Sequence, residues 1–442
     1  MISTGAKLAA IGLTIGLFVA SAAQGRDIVV HAGELIDGVS NSPRKNVSIL
    51  ISGDRIVAIT PGFATPANAQ VIDLSTQTVL PGLIDCHVHL LLQFSDNPRA
   101  DAVTQSSFDA VLLGVPHARA TLEAGFTSVR DVGGYTPAIL ALKRAIAAGE
   151  IEGPRMWVSG MILGPTGGHD DLSTGYDPVI TKPEWTDGVV DSPEEAIKKV
   201  RERHRAGADL IKIAPSGGVY TMGDDPNAQL MTDAEIKAVV DTAHTLHMKV
   251  AAHAHGKDAI EHAVELGVDS IEHGSFADAD TYKMMKAHGT YLVPTLIAGA
   301  SVVEYAKLHP ERLPPGGGAK ALAVGAVMSR NAGEAYRAGV KIAFGTDAGV
   351  YAHGQNAREF RLMVDAGIPP MSAIQAATSV AADLIGDGPD IGSIQPGRYA
   401  DIIATRGDPL ADIGQLQHVE FVMKAGRVVK SRAPYPPEPA DK

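Results

Sequence analysis

The sequence has little of three things, and each shortage excludes a class of protein. Its 442 residues include a single cysteine, Cys86, so no intramolecular disulfide can form. The net charge is −12 and lysine and arginine nowhere cluster, which argues against a nucleic-acid surface, because such surfaces carry a basic patch. Apart from one apolar run near the N-terminus, no segment approaches the length that spans a membrane. What remains is an ordinary globular composition, with 45% hydrophobic and 20% charged residues.

The N-terminal apolar run predicts export. Lys7 precedes the apolar stretch 8–20, and Ala20-Ser21-Ala22 offers small residues in an A-x-A cleavage pattern. The stretch is shorter than the roughly 20 residues that cross a bilayer, so a retained anchor is the second choice. We therefore expect residues 1–23 to be a signal peptide, and the mature protein to be periplasmic or secreted with no membrane span.

Short strand-like segments occur near both ends of the chain. Turn signals such as Ser52-Gly53-Asp54 separate them in the first part, and Ala425-Gly426-Arg427 reads as a hairpin turn in the last. We expect residues 24–80 and 398–432 to build one composite β-sandwich. The proline-rich residues 433–442 are expected to be a flexible tail.

Residues 81–397 alternate between strand-like and helix-like patterns. The predicted strands are 83–89, 127–131, 155–159, 210–213, 250–253, 270–273, 291–294 and 341–345. The predicted helices are 103–124, 137–149, 193–206, 232–247, 257–266, 278–288, 320–338 and 371–384. Eight such units predict an α/β fold, a (β/α)8 TIM barrel, whose chemistry lies where strands end and loops begin. The longest of these loops are 160–192 and 214–231.

The segment PGLIDCHVH, residues 81–89, carries two histidines on one face of a predicted strand. Side chains alternate along a strand, so His87 and His89 point the same way and Val88 points away. Two neutral imidazoles on one face can hold one metal ion. An isolated H-x-H pattern also fits two structural histidines, so the interpretation depends on further ligands.

Lys212 is a charged residue inside the apolar strand 210–213. Lysine is rarely buried unless it is paired, so one interpretation is a strand-edge lysine that reaches solvent. If Lys212 is buried, desolvation lowers the pKa of its amine and leaves it nucleophilic. Such an amine can react with carbon dioxide to form a carbamate, a negatively charged bridge between two metals.

Three more residues of ligand type close predicted strands: His253 the fifth, His273 the sixth and Asp347 the eighth. Each has a structural alternative, a hydrogen-bonded core histidine or a helix-capping aspartate. Taken with the first and fourth strands, their shared position predicts a metal site at one end of the barrel. In the segment HAHG we choose His253 as the ligand and leave His255 either to the rim or to a supporting position behind the ligands.

These motifs resemble the metal-dependent amidohydrolase superfamily over nearly the whole mature chain. The resemblance rests on PGLIDCHVH, the lysine of the fourth strand, HAHG, IEHG and GTDAG. The runs SGGVY and VRDVGG are similar to the prolidase-like branch, which hydrolyses Xaa-Pro or Xaa-Arg/Lys dipeptides and other N-acyl amino acids. Bacterial ochratoxin amidohydrolases also resemble this branch.

The resemblance implies two divalent metal ions, zinc by preference, with the ligands His87, His89, Lys212, His253, His273 and Asp347. His87, His89 and Asp347 would hold the more buried ion, and His253 and His273 the second. Lys212 as N6-carboxylysine, together with a hydroxide, would bridge the two ions. Asp347 would be the catalytic residue, taking the proton of the attacking hydroxide and delivering it to the leaving amine.

Two loop residues are candidates for substrate binding. Tyr220 follows the fourth strand and can donate its hydroxyl to a substrate carboxylate, and His169 can contact the substrate carbonyl or carboxylate. A packed tyrosine and a loop-capping histidine are the structural alternatives.

We therefore expect a binuclear metal hydrolase that cleaves the amide bond of dipeptides or N-acyl amino acids, including ochratoxin-type N-acyl phenylalanine. Its partner would be a small-molecule amide, and relatives of this kind often form homo-oligomers. A mononuclear deaminase or imidazolonepropionase-type cyclic amide hydrolase is the first alternative, which Lys212 disfavours because one metal needs no bridge. A phosphotriester or lactone hydrolase stays open, and a non-enzymatic binding protein is disfavoured by the spare acid Asp347.

Overall fold

The computed structural model describes residues 27–95 and 97–432. The predicted signal peptide, 1–23, and the predicted tail, 433–442, lie outside the described residues. No helix among the described residues is long and apolar enough to cross a membrane.

The described strands, in chain order, are β1 (Ile28–Leu35), β2 (Arg44–Ser52), β3 (Arg55–Pro61), β4 (Gln70–Pro81), β5 (Leu83–Val88), β6 (Phe126–Asp131), β7 (Arg155–Val158), β8 (Leu210–Ile213), β9 (Lys249–Ala254), β10 (Ser270–His273), β11 (Tyr291–Val293), β12 (Ile402–Thr405), β13 (Phe421–Lys424) and β14 (Arg427–Ser431).

The helices lie mainly between β5 and β12, and in chain order they are α1 (Pro98–Thr104), α2 (Ser107–Glu123), α3 (Thr136–Ala147), α4 (Pro193–Ala206), α5 (Asp233–Thr245), α6 (Lys257–Glu265), α7 (Ala279–His288), α8 (Leu296–Leu308), α9 (Gly317–Ala338), α10 (Arg358–Asp365), α11 (Pro370–Ala376) and α12 (Ser379–Ile385). The predicted start of α4 at residue 193 is confirmed, and Ser192 caps this helix. Helix α5 begins one residue after the predicted 232, because Thr232 is its cap in a capping box with Glu235.

A seven-stranded sheet joins the two ends of the chain, in the order β14-β13-β12-β4-β1-β2-β3. β4 pairs with β1 in parallel and with β12 in antiparallel orientation, so the C-terminal strands add directly to the N-terminal ones. Apolar side chains of both parts, among them Val30, Ile49, Leu74, Ile402 and Phe421, share one buried cluster. Only Gly82 separates β4 from β5, and a Cβ there would lie 2.1 Å from the Thr127 hydroxyl. This sheet therefore fixes where β5 begins.

Two parallel sheets, β5-β6-β7 and β8-β9-β10-β11, make up the middle of the chain. The Asp209 N–H donates to the Val158 carbonyl at 2.8 Å, which links the ends of the two sheets on one side. On the other side, the Lys341 carbonyl accepts from Leu292 at 2.9 Å and the Phe344 carbonyl accepts from Cys86 at 2.8 Å. The segment 341–348 thus lies between β11 and β5 and connects the sheets there.

The predicted eighth strand, 341–345, is not a regular strand. Its one ladder contact is an isolated bridge between Ile342 and Leu292. The Phe344 N–H donates to the Ala376 carbonyl of α11 at 3.0 Å instead of to a strand, which interrupts the ladder. The prediction of a strand was therefore wrong in conformation, although the segment occupies a place between two strands.

Several helical predictions also differ from the structure: α10 was not predicted, and the predicted helix 103–124 is divided between α1 and α2. The predicted helix 371–384 is broken into α11 and α12, because the Ala377 carbonyl accepts the N–H of Ile84 in β5 at 2.8 Å. Helix α8 was not predicted, since its sequence LIAGASVVEYAKL contains glycine and β-branched residues of modest helix propensity. Its first two N–H groups, of Leu296 and Ile297, donate to the buried Glu359 carboxylate at 2.8 and 2.7 Å. A distant carboxylate therefore caps α8, which no local pattern reveals.

Candidate metal centre

The predicted ligands lie together at the carboxyl ends of the parallel strands. His87 is the penultimate residue of β5, and His273 is the last residue of β10. Lys212 lies in β8 and His253 in β9. Asp347 comes from the 341–348 segment, where its N–H donates to the His87 carbonyl at 2.7 Å. Because parallel strands end at one edge, side chains far apart in sequence meet there.

Two groups of three residues are close enough to hold a metal ion. The first is His87, His273 and Asp347, and the second is His253, His255 and His273, with the ligand atoms of each group within 4.8 Å of one another. His273 belongs to both groups, so they form one continuous cluster. His89 joins its edge, with its Nε2 3.1 Å from an oxygen of Asp347.

His255 is buried, so of its two expected positions the rim is excluded. It is 4% exposed, and its ring stacks on that of His273 with centroids 4.9 Å apart. The hydroxyl of Ser275 bonds its Nδ1 at 2.7 Å, which leaves Nε2 on the side of the cluster. The H-x-H spacing that pointed to His87 and His89 recurs at 253–255 and was the signal for this residue.

Lys212 is 2% exposed, so it is not the solvent-reaching lysine of the alternative interpretation. Burial lowers the pKa of its amine to about 8. Its Nζ has no hydrogen-bond partner among the described residues. An ammonium buried without hydrogen bonds is unfavourable by several kcal/mol. The donor set around it, imidazoles and a carboxylate, fits a divalent metal centre.

The Asp347 carboxylate is surrounded by imidazoles. Burial alone would raise its pKa, but His87, His89 and His273 hold the pKa of Asp347 well below its usual value. Its backbone is in the left-handed region, with φ of 60°, which a non-glycine residue adopts only when its surroundings impose it. The surroundings here are the two hydrogen bonds that Thr346 and Asp347 make to the His87 carbonyl.

Asp85 ties the His87 strand to the Asp347 segment. Its carboxylate accepts from the His87 N–H at 3.0 Å, from the Thr346 hydroxyl at 2.6 Å and from the Asn356 amide at 2.8 Å. Burial raises the pKa of Asp85 to about 7. This carboxylate lies behind the cluster and sets the spacing between two of its residues.

An ion pair between Arg130 and Glu272 also lies behind the cluster. The guanidinium of Arg130 contacts Glu272 at 2.8 Å, and both side chains are buried. The adjacent opposite charges of Arg130 and Asp131 in the sequence predict an internal ion pair between them, and this prediction is wrong. Asp131 instead accepts from the Leu90 N–H at 2.7 Å, because alternation along β6 turns the two side chains to opposite faces.

Contacts outside the cluster fix the ring orientations of the histidines. Nδ1 of His87 bonds Glu272 at 2.8 Å, and Nδ1 of His273 bonds the Thr295 hydroxyl at 2.7 Å. Nδ1 of His89 bonds the Gly133 carbonyl at 3.2 Å. Partners of this kind set which ring nitrogen is free to bind a metal. Sequence reasoning missed Glu272, although it stands next to His273 in the IEHG motif.

Of the two predicted substrate-binding residues, His169 contacts the cluster directly. Tyr220 lies near it, because the charge of Asp347 adds to the effect of burial in raising the pKa of the Tyr220 hydroxyl. The His169 ring stacks on the His253 ring with centroids 4.1 Å apart. The Tyr220 ring packs edge-on against Phe94 at 4.4 Å, and its buried hydroxyl has no hydrogen-bond partner among the described residues. A buried hydroxyl without a partner is unfavourable, so Tyr220 offers a donor to a ligand.

Comparisons with known proteins agree with this geometry. A model described as the amidohydrolase family matches residues 78–429. Ochratoxinase of Aspergillus niger is 33% identical over 439 residues, covering 94% of this chain and 89% of the relative. A crystal structure of an Xaa-Pro dipeptidase with methionine in its active site superposes with a TM-score of 0.88 at 40% identity, over 92% of this chain and 100% of the other. A prolidase complexed with N-methylphosphonate-L-proline superposes with a TM-score of 0.84 at 34% identity, over the same shares.

Proposed function

Because the chain belongs to the amidohydrolase family and is a hydrolase acting on C–N bonds, we propose that it cleaves the amide bond of dipeptides or N-acyl amino acids with two divalent metal ions. The single observation that carries the two-metal proposal is the burial of the Lys212 amine without a hydrogen-bond partner among the described residues. Besides burial, the charge of Lys212 contributes to lowering the pKa of His87 in one group and of His253 in the other. A site for one metal has no use for such an amine.

We propose the same ligand division that the sequence resemblance implied. His87, His89 and Asp347 would hold one ion, and His253 and His273 the other, with Lys212 as N6-carboxylysine between them. Carboxylation replaces a buried positive charge with an anion that two cations stabilise, which removes the unfavourable burial of the amine. Imidazole and carboxylate ligands suit zinc.

When bound, the ions would supply an acidified water and a polarised scissile carbonyl. Residues of the chain transfer the proton and bind the substrate. Asp347 accepts the proton of the attacking water and delivers it to the amine that leaves. The Tyr220 hydroxyl donates to the free carboxylate of the leaving amino acid, and His169 contacts the substrate carbonyl or carboxylate.

Two relatives support this substrate class. The structure at 40% identity is an Xaa-Pro dipeptidase with an amino acid, methionine, in its active site. The relative at 33% identity is an ochratoxinase. We infer that this chain releases an amino acid with a free carboxylate, from a dipeptide or from an N-acyl amino acid such as an ochratoxin-type N-acyl phenylalanine.

We also propose that the two parallel sheets and the 341–348 segment form one (β/α)8 barrel, and that residues 24–80 and 398–432 form the composite β-sandwich. The hydrogen bonds that connect the sheets on both sides support the barrel. We further propose export through residues 1–23 and assembly into a homo-oligomer. Phe108 and Leu112, 80% and 70% exposed one turn apart on α2, support an assembly surface.

The test measures metal content and activity together. Purified protein would be assayed with Xaa-Pro, Xaa-Arg and Xaa-Phe dipeptides, N-acyl amino acids and one aryl ester, before and after chelation. We expect about two metals per chain and chelator-sensitive release of a C-terminal amino acid. Lys212→Arg should lose both metal and activity, because a guanidinium cannot be carboxylated, whereas Lys283→Arg on the exposed face of α7 should change neither. One metal per chain and an active Lys212→Arg variant would refute the proposal and favour a mononuclear enzyme. Cleavage of the ester alone would move the substrate class to esters or lactones.

A further inference from the structure

The loop that carries Tyr220 has little structure of its own. Ser216 and Gln229 pair in an isolated antiparallel bridge, and residues 217–228 between them, here named the tyrosine loop, form neither helix nor strand. The loop touches the metal centre through its backbone. The Gly217 carbonyl lies 3.4 Å from Nε2 of His253, and a Cβ at Gly218 would lie 2.1 Å from the His169 ring. Such close approach requires something that holds the loop in place.

A single ammonium group from another part of the chain contacts this loop at three points. Nζ of Lys320, in α9, donates to the Gly218 carbonyl at 3.1 Å, to the Thr221 carbonyl at 2.8 Å and to the Asp224 carboxylate at 2.6 Å. Those carbonyls flank the dipeptide Val219-Tyr220 on both sides. The three donors of the ammonium are therefore all used, and all on this loop.

The contact between Lys320 and Asp224 is largely buried, so its loss would cost more free energy than the loss of an exposed ion pair. The side chains of Lys320 and Asp224 are 15% and 2% exposed. The second oxygen of Asp224 accepts the Gly218 N–H at 3.0 Å, so the carboxylate is satisfied only in this loop conformation. Removing the ammonium would take one hydrogen bond from each of the two carbonyls and the positive partner from the buried Asp224 carboxylate. This loss is far more unfavourable than that of an exposed ion pair.

The position of Lys320 in α9 also indicates that this lysine serves the tyrosine loop and not the helix. It is in the first turn of α9, which has no acidic residue there. A cation at a helix N-terminus is opposed by the helix dipole, so helix formation alone does not favour lysine at this place. Its stabilisation comes from the tyrosine loop.

We propose that Lys320 is a positioning residue that holds the tyrosine loop over the metal centre and keeps the Tyr220 hydroxyl placed for the substrate carboxylate. The inference rests on the proposed function, in which Tyr220 binds that carboxylate. It makes α9, which carries Lys320, part of the substrate-binding apparatus.

The test compares Lys320→Met with Lys320→Arg, which restores donors, and with Lys283→Met as a matched control whose side chain is 78% exposed. Hydrogen exchange of residues 217–228 is measured on the full mature protein, together with metal content, KM and kcat. We expect Lys320→Met to speed exchange in the loop and raise KM by about tenfold each, with kcat within about threefold and metal content unchanged. Lys320→Arg should recover part of both effects.

Unchanged exchange in the loop of Lys320→Met would overturn the inference, and so would faster exchange with an unchanged KM. If Lys320→Met does not fold, Asp224→Asn, which keeps the lysine and removes its charged partner, gives the same readouts. Should the wild-type protein cleave no amide at all, the proposed function fails. The exchange measurement then decides by itself whether Lys320 holds the loop.

Discussion

Glu272 holds the imidazole of His87 from behind, with its carboxylate 2.8 Å from Nδ1 of the ring. The same carboxylate accepts from Arg130 at 2.8 Å and from the Ser270 hydroxyl at 2.6 Å. Arg130 also donates to the Cys86 carbonyl at 2.6 Å. A charged pair buried between β6 and β10 therefore sets the ring orientation of a proposed metal ligand on β5.

Glu272→Gln should weaken metal binding. The amide cannot accept from both Arg130 and His87 as a carboxylate does, so the His87 ring loses its fixed orientation. We expect metal affinity to fall by about 10- to 100-fold, measured on folded protein by competition with a chelator. The exposed Glu265→Gln on α6 is the control. Metal affinity equal to that of the control would show that Glu272 is structural only.

Asp347→Asn should separate metal binding from catalysis. An asparagine keeps the size of the side chain and one ligand oxygen but cannot accept a proton at neutral pH. We expect much of the metal to be retained and kcat to fall by about 10²- to 10⁴-fold, measured by steady-state kinetics with metal analysis. Asp258→Asn, at an exposed site on α6, should behave as wild type. A rate near wild type in Asp347→Asn would rule out the proton-transfer role.

Tyr220→Phe should act mainly on substrate binding. Its hydroxyl has no partner among the described residues, so the variant removes a donor to the ligand and no internal hydrogen bond. We expect KM to rise by about tenfold with little change in kcat, since the contact serves substrate and transition state alike. Tyr336→Phe removes a hydroxyl that bonds Ser372 and is the matched control. A fall in kcat at constant KM would assign Tyr220 to the chemical step instead.

The stacked pair of His117 and His353 should make stability depend on pH. Their ring centroids are 4.3 Å apart, and burial lowers the pKa of both imidazoles, that of His353 to about 4. In the unfolded chain the pKa of a histidine is about 6.5. Below that pH the unfolded state therefore binds more protons at these two residues than the folded state does. Their contribution to stability is thus present above about pH 6.5 and is lost as the pH falls towards about 4.

Urea unfolding across that pH range would measure this effect. His353→Gln keeps an N–H for the Leu92 carbonyl, which Nε2 of His353 contacts at 2.8 Å, and removes the titrating group. We expect its unfolding free energy to vary less steeply with pH, by up to about 1.4 kcal/mol per pH unit for one proton. The exposed His288→Gln should follow wild type. Equal slopes in His353→Gln and wild type would contradict the assignment.

Much of the architecture follows from local pattern. Strands 210–213 and 270–273 and helix 193–206 have the predicted bounds, because an apolar period of two or 3.6 and a cap are properties of short segments. The ligand-type residues near the ends of β5 and β10 were identifiable for the same reason, whereas Asp347 follows a segment that is not a regular strand. The structure brings ligand atoms of His87, His273 and Asp347 within 4.8 Å of one another. Their roles as metal ligands stay predictions, as do those of His89, Lys212 and His253.

Other features depend on residues that are distant in sequence. The end of helix α11 is set by a carbonyl shared with β5, and the start of α8 by the carboxylate of Glu359. Arg130 has Asp131 beside it in sequence, yet pairs with Glu272 because the pleat of β6 turns neighbours apart. No pattern within one segment contains these contacts.

Local pattern in the sequence is enough to identify the side chains near the ends of β5, β8, β9 and β10, since alternation and apolar runs are local. It also determined the family, through motifs that are each only a few residues long. Three features are visible only in the tertiary structure. Lys212 is buried without a hydrogen-bond partner among the described residues, and Glu272 orients the His87 ring. Lys320 holds the tyrosine loop. The physical reason is that burial and hydrogen bonding are properties of surroundings, and the surroundings of each of these residues come from other parts of the chain.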